Sequence, residues 1–352
     1  MSEVFEGCLP DELDDRDYKY SDICGASTPA NVVYDFRPFM PPIYNQQNIG
    51  SCTAQATIRS LVYQIRRRKG EVYCGSRLFS YYMTRLLRGR TDLDSGATLR
   101  EACESVRKYG TCNDVAYPET DAYRKPTFGN LVSSMRYKAN AYYRVQGFSE
   151  ILDALSRDIP VIFSTDFYRW GNVGKDGIVR NALTWVNSNS KSGHAMLIAG
   201  YNPYFIIDGK QVPIFIVANS HDTYSGDMGY FYVPAQQLVG YNMGDSWVVF
   251  LDTVPTDLPE DSMPHQTVVT VAPDPNTIFS IIIDFCTAPE PAIAMRDFYN
   301  KNGYPCMIRQ FQSSMGIRWV VMFESIFDTV EKAQVKSNEL RSHNFRNFIG
   351  VI

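Results

Sequence analysis

Histidine is scarce in this chain, four in 352 residues, at positions 194, 221, 265 and 343. The eight cysteines, at 8, 24, 52, 74, 103, 112, 286 and 306, form no CxxC pair. So few imidazoles and no paired thiols leave no zinc-cluster pattern, and nothing calls for a metal or another cofactor. Charge of one sign is lacking too: 34 Lys and Arg against 38 Asp and Glu give a net −4. That balance offers no basic field for a nucleic-acid backbone. Long hydrophobic runs are also missing. The longest, Ile278 to Phe285, is interrupted by Ser280 and Asp284 and is far too short to span a bilayer. The N-terminus is acidic from Glu3 to Asp15, without the basic and apolar regions of a secretory signal. Eight cysteines in a chain this long do not make a disulfide scaffold. These absences describe a soluble protein of a reducing compartment, the cytoplasm.

The most informative segment is Asn45-Gln46-Gln47-Asn48-Ile49-Gly50-Ser51-Cys52-Thr53-Ala54. It places an amide and a thiol on one loop, just where an apolar-periodic stretch begins. A thiol at a helix N-terminus is favoured as thiolate, and an amide donor beside it can hold a developing oxyanion. From Thr53 to Lys69 the spacing of Ala54, Ile58, Leu61, Val62 and Ile65 predicts a helix ending at Gly70, with Arg66 to Lys69 against its negative end. Two further helices are expected, over Leu78 to Leu86 and after the capping-box pattern Thr98-Leu99-Arg100-Glu101.

After about residue 140 the texture turns to short apolar runs bounded by Gly, Pro, Asn and Asp: Ile159–Phe163, Ala195–Tyr201, Ile214–Ala218 and Tyr230–Val233. A helical first half and a strand-rich second half make an α+β domain with room for a cleft between them. We divide the chain into an irregular lead-in over 1–40, able to cover such a cleft, a catalytic domain over 41–253, a Pro-rich linker over 254–276 and a tail over 277–352. The tail alternates as β-α-β-β-α-β, the ferredoxin-like split plan, with helices expected over Ala292–Asn300 and Ile326–Leu340.

A cysteine nucleophile needs a base and a group to orient that base. His194 stands at the mouth of a strand in Ser192-Gly193-His194-Ala195-Met196, and Ile216-Val217-Ala218-Asn219-Ser220 delivers an amide at another strand's end. Gln47 rivals Gln46 as the relevant amide, and His221 rivals His194 as the base. The remaining cysteines at 74, 103, 112, 286 and 306 read as small core hydrophobes.

These three segments, in this order, resemble the papain-like cysteine peptidases over about residues 30–252. The likeness extends to the xylellain-like branch, found in bacteria and viruses, through Pro41 to Ala54, Ser76 to Tyr82 and Thr98 to Glu101. The resemblance implies Cys52 as nucleophile, His194 as general base and then acid, Asn219 as the group orienting the ring, and Gln46 with the Cys52 N–H as the oxyanion hole. It implies hydrolysis of a protein or peptide substrate through a thioester acyl-enzyme.

The chain also departs from that family. Its usual Trp after Asn-Ser is His221 here, a second Trp corresponds to Ser225, and Ile49 stands where a Cys is usual. Loss of both indoles predicts a wetter, weaker Asn219–His194 bond. That keeps a rival in view: a non-catalytic scaffold of a larger assembly or a virion. The tail is similar to the sporulation-related repeat (SPOR) domain through Phe279-Ser280-Ile281 and Asn302-Gly303-Tyr304-Pro305. That likeness implies a glycan partner, or a protein partner if the tail is only an accessory module. It adds the rival of a Cys-His amidase or transferase acting on cell-wall peptide.

Overall fold

The computed structural model describes residues 7–24, 28, 30–117, 120–165, 173–180 and 193–252. In the tail it describes 279–286, 305–313, 316–327 and 348–351, with a few helical positions between them. The linker expected over 254–276 lies outside the described residues.

The lead-in is not irregular throughout. It carries two short strands, β1 (Cys8–Leu9) and β2 (Tyr34–Asp35), and buries Tyr20 and Phe36. The central helix α1 (Cys52–Gln64) follows, and every one of its residues is buried. A helix so enclosed must satisfy its polar side chains inside the protein. Gln64 donates from Nε2 to Val249 O at 2.8 Å and accepts from Leu251 N–H at 3.1 Å. Arg59 donates to Pro41 O at 3.3 Å and to Asn219 O at 3.4 Å. The helix expected to Lys69 does continue, but Ile65–Lys69 widens to π-helical winding before left-handed Gly70 closes it at φ 64°.

α2 (Arg77–Leu86) starts on Ser76, whose Oγ accepts from Phe79 N–H. The short strand β3 (Ala97–Thr98) pairs in parallel with β1 and leads into α3 (Leu99–Tyr109). There the predicted capping box is present: Thr98 Oγ1 accepts from Glu101 N–H at 3.2 Å, and Glu101 Oε2 from Thr98 N–H at 3.0 Å. The short helix α4 (Phe128–Ser134) completes the helical part.

The second half is an antiparallel sheet built from β4 (Ala141–Arg144), β5 (Val161–Thr165), β6 (His194–Asn202), β9 (Ile214–Ala218), β10 (Tyr230–Pro234) and β11 (Ser246–Phe250). Between β6 and β9 lies the small hairpin β7 (Ile206–Ile207) and β8 (Lys210–Gln211). The order across the sheet is β10-β9-β6-β5-β11-β4, with β2 paired to β6. β5, β9, β10 and β11 are buried along their whole length, which is why they read as unbroken apolar runs rather than alternating ones. α5 (Gly147–Ser156) lies in this half as well, so the division into helical and strand-rich parts is less clean than expected. α1 packs on β6, and α3 on β11.

In the tail, β12 (Phe279–Cys286), β13 (Cys306–Ser313), β14 (Gly316–Phe327) and β15 (Phe348–Val351) form an antiparallel sheet in the order β13-β14-β12-β15. Ile326, expected to open a helix, is instead in β14, paired with Ser280. The remainder of that helix and the Asn302–Tyr304 turn fall largely outside the described residues.

A charged hub fixes the lead-in to the sheet. Arg144 of β4 reaches Asp245 at 2.7 Å, Asp17 at 3.0 Å and Asp11 at 3.6 Å. Its guanidinium lies 4.6 Å from the Trp247 ring centroid. Trp247 Nε1–H donates to Asp11, whose carboxyl is pushed up first by burial and then by Asp245. Removing one member of a nearly dry ion cluster leaves the others uncompensated. Arg144→Met is expected to lower stability by about 3–5 kcal/mol in chemical denaturation. A loss below about 1 kcal/mol would show the hub to be no more than a surface pair.

Candidate active site

Cys52 is the first residue of α1 and is fully buried. The loop before it is tied on both sides. On one side Gln46 N–H donates to Ser220 O at 2.9 Å, and Ser220 Oγ donates to Gln46 Oε1 at 2.6 Å. On the other, Gly50 N–H donates to both carboxylate oxygens of Asp94, at 3.2 and 3.1 Å, and Tyr81 holds Asp94 through its hydroxyl. Because the Gln46 carbonyl end is engaged by Ser220, its NH₂ end faces the loop, donating to Ile49 O at 3.1 Å. A carboxamide carries two N–H donors, so this bond uses half of its capacity. Gln47, the alternative amide, is in the left-handed region at φ 54° and exposed, so Gln46 is the one built into the site.

His194 opens β6 with none of its surface exposed, and Asn219 follows β9 with 1% exposed. Their strands are direct neighbours, paired Leu197 to Ala218. His194 Nε2 lies 2.7 Å from Asn219 Oδ1, and the same oxygen accepts from Ser220 N–H at 2.8 Å. Two N–H groups converge on that atom, which fixes it as the amide oxygen. The ring proton therefore sits on Nε2, and Nδ1 is the acceptor nitrogen, the one a base needs.

The expected wet bond is not found. His221 stacks on His194 with ring centroids 4.6 Å apart and planes at 25°, and the His194–Asn219 bond is buried. The His221 backbone bridges Asn45 on the loop that leads to Cys52, which makes its ring a candidate cover for the bond. Ser225 contributes its carbonyl to Gly229 N–H and does not take part in that cover.

The structure thus joins His194, Asn219 and His221 directly and Gln46 through Ser220. Cys52 opens α1, which packs on β6, the strand that begins at His194, and Arg59 of the same helix bonds the Asn219 carbonyl. Cys8 spans the two sides. It exchanges backbone hydrogen bonds with Gly193, beside His194, and its thiol is raised by the nearby Cys52 sulfur after burial itself. Neither Ser220 nor Cys8 was singled out in the sequence. Ser220 adjoins Asn219, a position that could have suggested it; Gly7-Cys8 has no local signal. Among the described residues no group of three or more His, Cys, Asp and Glu is gathered to hold a metal ion, and no helix is long and apolar enough to cross a membrane.

A buried imidazole bonded to an amide on the neighbouring strand, and a buried thiol opening the helix packed on the imidazole's strand, fit a thiol-dependent hydrolase. Residues 31–246 match the family model described as papain family cysteine protease, and the chain belongs to that family. It is 25% identical over 224 residues to an uncharacterised peptidase C1-like protein of Acanthamoeba polyphaga mimivirus, covering 58% of this chain and 68% of that one. Its fold is similar to that of xylellain, a cysteine protease from Xylella fastidiosa, at a TM-score of 0.59 and 26% identity over 71% of this chain and 97% of that one. The fold is also shared with bromelain from Ananas comosus, solved with the inhibitor E64, at a TM-score of 0.50 and 20% identity over 64% and 100%.

If His221 is the cover, the His194 Nε2–H should give a slowly exchanging downfield proton resonance in the wild type. His221→Ala should lose that resonance to water exchange while circular dichroism stays unchanged, and His221→Trp should keep it. Persistence of the resonance in His221→Ala would show that another group excludes water.

Proposed function

We propose that this protein is an endopeptidase in which Cys52 is the nucleophile, His194 the general base and acid, Asn219 the orienting amide, and Gln46 with the Cys52 N–H the oxyanion hole. The observation that carries the reading is the buried 2.7 Å bond from His194 Nε2 to Asn219 Oδ1, which presents Nδ1 as the proton acceptor. Transfer of the Cys52 proton to His194 leaves a thiolate that attacks the scissile carbonyl. First-turn N–H groups of a helix have no intrahelical acceptor, so the Cys52 amide is suited to meet the oxyanion with Gln46 Nε2–H. His194 then protonates the leaving amine. Water, deprotonated by the same ring, releases the thioester. The rival scaffold reading rests on His221 and Ser225 in place of the indoles, and the stacking of His221 on His194 favours the peptidase over it.

The lead-in supports a second element of this proposal: residues 7–9 restrain the site from within the cleft. Gly7 is in the left-handed region at φ 86°, and a Cβ there would meet the Gly50 carbonyl oxygen at 2.2 Å. Ala97 N–H donates to Gly7 O at 2.9 Å, and Cys8 is bonded to Gly193. The tail reads as a βαββαβ module, supported by its strand order and by helical residues such as Ala292 and Lys332 between strands. A glycan or protein partner would be bound there. The chemistry and the tail are consistent with cytoplasmic or virion-associated work on protein substrates.

An epoxide of the E64 type should alkylate Cys52 in the wild type but not in His194→Ala. Gln46→Ala should lower kcat/KM on a peptide substrate by about 10²–10³-fold. Alkylation at another cysteine, or turnover surviving Cys52→Ala, would refute the assignment. Gly7→Ala should release the lead-in, raising the alkylation rate and the turnover together; unchanged rates would show that residues 7–9 do not restrain the site.

A further inference from the structure

The lead-in brings a second thiol to the candidate nucleophile. Gly7 lies flat against Gly50, two residues before Cys52. One residue on, Cys8 donates its N–H to Gly193 O at 2.9 Å and accepts from Gly193 N–H at 2.8 Å, one residue before His194. Cys8 is therefore pinned from both sides of the site, and it is 1% exposed. Its thiol is held well above its ordinary value by burial, then by the Cys52 sulfur, and then by Asp11 and Asp245. Cys52 leads those charged neighbours, ahead of the two carboxylates. Neither cysteine is in a disulfide. Gly7 and Gly50 meet backbone to backbone, which puts Cys8 one residue and Cys52 two residues from the contact; a disulfide between them needs Cα atoms about 4.4–6.8 Å apart.

We infer that Cys8 and Cys52 form a reversible oxidation site, in which a peroxide oxidises Cys52 and Cys8 caps it as a disulfide. This rests on the reading of Cys52 as the reactive thiolate. The Cys52 thiolate, its proton held on His194, attacks one peroxide oxygen, the O–O bond breaks, and Cys52 becomes a sulfenic acid while the departing hydroxide takes the proton from His194 and leaves as water. Cys8 gives its proton to His194, and its sulfur displaces the hydroxyl from Cys52. That hydroxyl takes the proton back from His194 and leaves as a second water. Two thiols and one hydrogen peroxide thus become one disulfide and two waters. Oxidation of Cys52 removes its negative charge, one of the causes that raise the Cys8 thiol, and so eases the ionisation that the resolving attack needs.

Two consequences follow for this chain. The disulfide stops Cys52 short of the sulfinic acid, from which a thiol does not ordinarily return. It also bonds the lead-in covalently into the cleft, so the oxidised protein is shut until a dithiol opens it.

The test uses the full chain, reduced, then exposed to hydrogen peroxide at more than two equivalents, enough to carry a thiol to sulfinic acid, and digested without reductant for mass spectrometry. The expected product is a linked peptide pair carrying Cys8 and Cys52. Epoxide labelling of Cys52 should fall roughly tenfold on oxidation and return with dithiothreitol. In Cys8→Ser the same exposure should carry Cys52 to sulfinic acid, and labelling should not return. Sulfinic acid at Cys52 in the wild type without the 8–52 pair, or a native linkage of Cys52 to another cysteine, overturns the inference. A linked pair in a protein that hydrolyses no peptide supports it while removing the peptidase reading instead.

Discussion

A hydrogen bond of 2.7 Å joins Nε2 of His194 to Oδ1 of Asn219 in a site closed to water. One strand delivers the ring, its neighbour delivers the amide, and the register between β6 and β9 sets both at the same end of the sheet. The tautomer follows from the bond, and the tautomer decides which nitrogen can receive a proton. α1 supplies the thiol by packing across β6, so its polar residues have to be satisfied inside the protein. Arg59 does this by bonding the carbonyl of Asn219 itself, which ties the thiol's helix to the orienting group.

The stacked His221 shows how one requirement can be met by different chemistry. An imidazole stacks 4.6 Å from the His194 ring, at the place where the papain-like resemblance puts an indole, and a flat ring held there is suited to cover the His194–Asn219 bond. The price is a second titratable ring over the base. Its anchor is Asn45, on the loop that also carries Gln46, so the cover and the oxyanion candidate are positioned by one short segment.

Local signals were the legible ones. Thr98 and Glu101 cap α3 within one turn, and Ser51-Cys52 opens α1 where periodicity begins, so both could be read from neighbouring residues. The order of Gln46, Cys52, His194 and Asn219 carried the family because each lies in its own recognisable segment. The tertiary partners were not legible. β2 joins β6 across more than 150 residues of chain, and Ser220 holds Gln46 across 174. α5 and β11 were passed over because short apolar runs look alike until packing decides them. Ile326 was misread for the same reason, since β14 runs through it to Phe327. The packing of Gly7 on Gly50 depends on a left-handed φ and a close approach, neither of which a lone glycine announces.

The lead-in makes the site more than a family copy. Arg144 anchors residues 11 and 17 to the sheet, while Gly7 and Cys8 run between Gly50 and Gly193. In the proposed restraint, access to the thiol would depend on the docking of that one short segment.

The central claim is that Cys52 carries the acyl group. Rapid mixing of the protein with a chromogenic peptide ester, followed by acid quench and peptide mapping, tests it most directly. The account predicts a stoichiometric burst, with the acyl mass on the Cys52 peptide in the wild type and no burst in His194→Ala. An acyl group on any other residue, or a burst that survives Cys52→Ser, would contradict it.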